Sequence, residues 1–247
     1  MKNIKDRLFH YSTKVNGVLV PISALDSALA AFSTNLVVLT GHETYPISLI
    51  GSATCLHWHD KYFVVCTRHQ INGLELSKIG MLCPDGNVIT SGGAKHFIEI
   101  NDGDFHDLCA FDFTEPCKSL PRLQSRFYNV GVAPPDAPYD EFAFAQVSGF
   151  PTELQNYDMD ASHIGTVKAK VIVQLDRPSN DQAVITLRPL ENMSFEPDGL
   201  SGGSVFIVHA SRPNPTAYFA GIVTRASKSF VYAVKAGWIL NFLAHFG

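Results

Sequence analysis

Short runs of β-forming residues, each cut off by Gly, Pro, Asp or Asn, fill most of this chain. In the first half, residues 35–40, 52–57, 61–67, 96–100 and 107–113 have this character. In the second half, residues 141–148, 166–175, 182–187, 203–208, 217–223 and 229–234 repeat it. Runs of this length with turn residues between them predict antiparallel strands. Closing such strands into barrels removes the exposed edges that would otherwise pair with other chains. Thr166-Val167-Lys168-Ala169-Lys170-Val171 alternates strictly, which gives that strand one wet face and one dry face. His59-Asp60, between two runs, marks a hairpin tip.

With 247 residues, 46% of them apolar, the chain can bury a substantial core as a single all-β unit of two barrels. The join between the halves belongs in the densest proline region, from Glu115-Pro116 and Pro121 to Ala133-Pro134-Pro135-Asp136-Ala137-Pro138. The expected division is an extension over 1–34, a first barrel over 35–125 and a second over 126–247. Within the extension, Pro21 is placed to open a helix, and Ile22, Leu25, Leu29 and Phe32 recur at helical spacing. A helix packed on the barrel exterior is the plainer reading, and a regulatory or partner-docking arm is the other. Trp238, Ile239, Phe242, Leu243 and Phe246 form an apolar stripe that predicts a C-terminal helix.

A net charge of −4 and the lack of any Lys/Arg-rich run argue against a nucleic-acid partner. No stretch approaches the roughly 18 apolar residues of a membrane span. Residues 1–20 lack an apolar run of signal-peptide length, so the expected location is the cytosol. The five cysteines are odd in number, form no CxxC and sit partly in apolar strand runs. Free, buried thiols in a reducing compartment are expected.

The chemistry concentrates in Asp198-Gly199-Leu200-Ser201-Gly202-Gly203-Ser204, just before an apolar strand run. Glycines on both sides of Ser201 allow a turn that presents its hydroxyl and aims the N–H groups of Gly199 and Ser201 into one cavity. By itself the stretch is equally a glycine-rich turn. Upstream, Cys66-Thr67-Arg68-His69-Gln70 ends one β run and Asp107-Leu108-Cys109-Ala110-Phe111 opens another. The order His, Asp, Ser suits a nucleophile, base and orienting carboxylate. For the carboxylate, Asp102, Asp104 and Asp112 are close rivals of Asp107. His57 and His59 lie two apart on a strand and raise a zinc hypothesis, but no second ligand cluster accompanies them. No metal and no cofactor is expected.

On these motifs, from about Asn35 to Phe246, the chain resembles the trypsin/chymotrypsin-like serine peptidases, in particular their unprocessed, intracellular bacterial relatives. Gly-Leu-Ser-Gly-Gly resembles the nucleophile motif and Thr-Arg-His the histidine motif. The resemblance implies two six-stranded antiparallel barrels, a C-terminal helix and serine endopeptidase activity on protein or peptide substrates. His69, Asp107 and Ser201 would be catalytic, with Gly199 and Ser201 as oxyanion donors. Phe195, Thr224, Arg225 and Ala226 would bind substrate, with a small or apolar residue preceding the cut bond. Thr224 also falls where the family has a hydroxyl that bonds the triad aspartate.

Two departures stand out. Gln70 occupies a position where extracellular members often carry a disulfide cysteine. Leu200 replaces an aspartate that, in secreted zymogens, pairs with a newly released N-terminus. The oxyanion turn is then either held ready by other contacts or collapsed until a partner engages residues 1–34. By analogy a bacterial stress or defence setting suits such an enzyme. The alternative is a catalytically silent barrel pair that holds extended peptide by strand pairing.

Overall fold

The computed structural model describes residues 12–83, 85–97, 103–131, 144–158, 163–176, 179–209 and 215–245. Two antiparallel sheets dominate. The first runs, in spatial order, Val88–Thr90, Ile79–Leu82, Ser33–Leu39, Ile47–Trp58, Lys61–Thr67, Leu108–Asp112 and Gly93–His96. Among the described residues its two end strands do not pair with each other, so this half is a curled half-barrel. The second sheet closes: Phe144–Gly149, Ala169–Leu175, Val184–Pro189, Val231–Lys235, Thr216–Ala226 and Ser204–His209 form a ring in which the last strand pairs back onto the first.

The central strands read as unbroken apolar runs because both of their faces are buried. In Lys61–Thr67, Phe63 and Val65 join a core shared with the second barrel, while Val64 and Cys66 fill the first. Leu108 and Ala110 separate from Cys109 and Phe111 in the same way. The shared core carries an aromatic cluster at the seam, with Tyr128 edge-on to both Phe32 and Phe206 at 5.2 and 5.0 Å. The two halves are therefore one packing unit. All five cysteines are free and buried, as small hydrophobes within it.

The extension differs from expectation. Ser12–Val15 and Val18–Pro21 form a hairpin across Asn16-Gly17, both of which have positive φ (49° and 83°). Asn-Gly is well suited to such a two-residue turn. Lys14 pairs in parallel with Thr216, so the hairpin extends the second sheet. Pro21 ends that hairpin and does not open the helix; a 3-10 turn follows, then the helix Leu25–Ala30. Leu25, Leu29 and Phe32 are buried as the spacing predicts, whereas Ile22 is 55% exposed.

His59-Asp60 is the expected hairpin tip, with Trp58 opposite Lys61. Between the halves, Thr114–Ser119 is a helix and Pro121–Arg126 a 3-10 segment. The proline run at 133–138 lies outside the described residues. So do the rival Asp102 and part of the strand expected at 96–100, whose described portion begins earlier, at Gly93. The C-terminal helix is Ala236–Ala244, with Ile239, Phe242 and Leu243 buried; Phe246 lies outside the described residues. Trp238 packs edge-on against Phe105 at 5.1 Å and Phe242 lies 5.0 Å from Phe97. The helix thus supports the Asp104–Asp107 turn that feeds the site.

Candidate active site

Strand ends from both halves converge on a cavity of about 510 Å³, lined by His69, Asp107, Gly199, Ser201 and the Thr224–Ala226 segment. His69 follows Lys61–Thr67 after the single residue Arg68, at the start of a 3-10 turn. Asp107 closes a second 3-10 turn immediately before the neighbouring strand, and Thr67 is paired with Leu108. That register places the two side chains together. Nδ1 of His69 lies 2.5 Å from Asp107 Oδ2, and the His69 backbone N–H donates to Oδ1 at 2.9 Å. With Nδ1 as the donor, Nε2 is left as the basic nitrogen. The hydrogen bond to Asp107 raises the imidazole pKa above its ordinary 6.5, opposed by burial and assisted by the charges of Asp107 and Asp104. Thr67 Oγ1 approaches Nε2 at 3.5 Å, but its proton goes to Gln70 Oε1 at 2.7 Å.

The serine limb is set differently. Ser201 Oγ donates to the Thr224 carbonyl at 2.9 Å, and among the described residues no hydrogen bond joins it to His69. Ser201 and His69 nevertheless line the same cavity. Thr224 contributes its carbonyl here and not, as expected, a hydroxyl to the aspartate; that hydroxyl donates to Tyr232 O at 3.3 Å.

The turn around Ser201 is defined by where its carbonyls go. Leu200 N–H donates to Pro197 O at 2.9 Å, and Gly199 has φ +90°, closing a turn that requires glycine at its third residue. The Asp198 carbonyl accepts from Thr152 N at 2.7 Å, and the Leu200 carbonyl from Gly203 N at 2.8 Å. In a trans peptide the N–H points opposite to the C=O, so the N–H groups of Gly199 and Ser201 face the other way from these two bonds. Neither amide donates to any described residue. Leu200 itself is fully buried in the shared core.

Arg225 and Ala226 line the cavity, on a strand whose pairing with Ser204–His209 ends at Ile222. Arg225 Nε is 3.3 Å from Asp104 Oδ2, and its guanidinium stacks 4.4 Å from the Tyr232 ring. Asp104, weighed only as a rival orienting group, thus lies on the cavity in an ion pair of its own. Phe195 packs against the core and is not among the cavity-lining residues. Gln70 and Ser52 have roles at the site that the motifs did not announce. Among the described residues no group of three or more His, Cys, Asp or Glu side chains could hold a metal ion. His57 stacks on Tyr62 at 4.4 Å, and His59 packs edge-on against Trp58 at 4.2 Å.

A closed six-stranded barrel beside a curled half-barrel, with a short C-terminal helix behind, is the fold of the trypsin-like serine proteases. Among solved structures, a serine endoprotease from Yersinia pestis superposes with a TM-score of 0.53 at 11% identity, covering 92% of this chain and 67% of that one. Human heparin binding protein superposes with a TM-score of 0.55 at 10% identity, covering 88% of this chain and 92% of that one. At these identities the likeness is one of fold. No family model matches the chain, and no curated protein matches it significantly in sequence.

Proposed function

We propose that this protein is a serine endopeptidase acting through Ser201, His69 and Asp107. The observation that carries this reading is the convergence, on one cavity, of a hydroxyl, an imidazole held by a carboxylate at 2.5 Å, and two amides that donate to no described residue. Ser201 Oγ turns from the Thr224 carbonyl toward His69 Nε2, passes its proton there and attacks the substrate carbonyl. Asp107 holds the imidazole and stabilises the imidazolium. The oxyanion meets the N–H groups of Gly199 and Ser201, each such donor contributing about 3 kcal/mol in known cases. His69 then protonates the leaving amine, and water releases the acyl group by the reverse sequence.

The substrate lies extended along the free edge at Thr224–Ala226, with a small or apolar residue before the cut bond. The ion pairing of Arg225 with Asp104 supports a modest electrostatic preference there. A peptide panel varied at that residue checks this: the account expects Ala, Val or Leu to be favoured, and a strong preference for Lys or Arg would reject it. For the mechanism, Ser201→Ala should abolish peptide hydrolysis while leaving the circular dichroism spectrum and Tm in place. Undiminished cleavage by that variant would remove Ser201 from the reaction.

A second reading, a silent barrel pair that binds peptide, is favoured by one observation: the Ser201 hydroxyl donates to Thr224 and not to His69. It predicts peptide binding without turnover. A polyanion such as heparin suits this chain poorly, given its net charge of −4.

A further inference from the structure

We propose that Gln70 is a positioning residue: a hydrogen-bonded clamp from the histidine turn that holds the serine turn in its reactive shape. The inference rests on the peptidase reading and goes beyond it, because it answers how the turn is kept ready with Leu200 at its centre. Gln70 Oε1 accepts from both Thr67 N (3.0 Å) and Thr67 Oγ1 (2.7 Å), which fixes the orientation of the amide. Its Nε2 is thereby aimed across the cleft, where it donates to the Ser201 carbonyl at 2.7 Å and to the Ser52 carbonyl at 3.3 Å. The amide thus connects the base's own strand end to the residue that carries the nucleophile, with Ser52 as a further anchor.

The backbone around it leaves room for this side chain and little else. A Cβ on Gly51 would sit 2.6 Å from Gln70 Nε2, and one on Gly202 would sit 2.9 Å from Oε1 and 2.0 Å from Ser52 O. Ser52 extends the clamp: its N–H donates to the Gly199 carbonyl at 3.1 Å, its Oγ to the same carbonyl at 2.5 Å, and its Oγ also accepts from Phe150 N at 2.7 Å. The first half therefore holds carbonyls on both sides of Leu200. A turn held this way does not depend on a released N-terminus or on a partner to acquire its geometry.

The test compares the full-length protein with Gln70→Ala and Gln70→Met, the latter keeping length and volume without the amide. Hydrogen exchange followed by mass spectrometry should show the hydrogen-bonded amides of the turn, those of Leu200, Gly202 and Gly203, exchanging at least 10-fold faster in both variants, with core strands unchanged. Turnover should fall 10- to 100-fold in kcat with KM little moved. If Gln70→Met matches the wild type in exchange and kcat, Gln70 only fills space and the clamp is rejected. The exchange readout needs no catalysis: an inert wild type would end the peptidase reading, while unchanged exchange at these three amides would end the clamp.

Discussion

At the scale of single residues, the account turns on one imidazole whose proton affinity is raised by a carboxylate it touches. The base form of His69 is needed for attack, so kcat/KM should rise with pH through an apparent pKa above the ordinary 6.5. Asp107→Asn should remove that upward shift and lower kcat by about 10⁴-fold, since a neutral partner favours the wrong tautomer. A pH–rate profile of both proteins checks the two effects together. The same pair acts on stability with a defined sign. A raised folded-state pKa contributes stability that is complete below the unfolded value near 6.5 and is lost as pH rises through the folded value. The stability gap between wild type and His69→Ala should therefore be wider at pH 6 than at pH 9.

At the scale of elements, the serine turn depends on what can and cannot bear a side chain. Gly202 has φ +83°, and an added Cβ would meet Ser52 O at 2.0 Å, so Gly202→Ala should cost about 2 kcal/mol or more in chemical denaturation. Leu200→Asp would bury an unpaired carboxylate in the shared core and should destabilise by about 3 kcal/mol or more. A Leu200→Asp variant of undiminished Tm would mean that a cation is within reach of that position. The serine turn was legible in the sequence because glycine spacing reports backbone conformation directly. Asn16-Gly17 is an equally direct hairpin signal that the reading of residues 1–34, built on Pro21 and the helical spacing after it, did not use. The contacts of Gln70 with Ser201 and of Ser52 with Gly199 were not legible, because they join residues 131 and 147 positions apart through side-chain amide and hydroxyl geometry.

At the scale of the whole molecule, the barrels are tied by a shared core and by a half-buried cation. Lys168 Nζ donates to the carbonyls of Ala30 and Ser33 at 2.5 and 2.8 Å, and it lies 5.2 Å from the Phe150 ring centroid. Burial pulls its pKa down to about 8 from the ordinary 10.5. Between those values the unfolded chain holds a proton that the folded one has released, so stability rises with pH across that window. Measured against Lys168→Met, the wild type should gain stability from pH 8 to 10.5. The two-barrel plan was readable because strand runs and turn residues have local signatures. The split of alternate residues in Lys61–Thr67 between two cores was not, since a run apolar on both faces carries no register.

The central claim is that Ser201 is an activated nucleophile. Reaction with a fluorophosphonate, followed by mapping of the adduct by mass spectrometry, tests it most directly. The account predicts a single stoichiometric adduct on Ser201 that is lost in His69→Ala. A folded wild type that stays unmodified under conditions that label a known serine peptidase would contradict it.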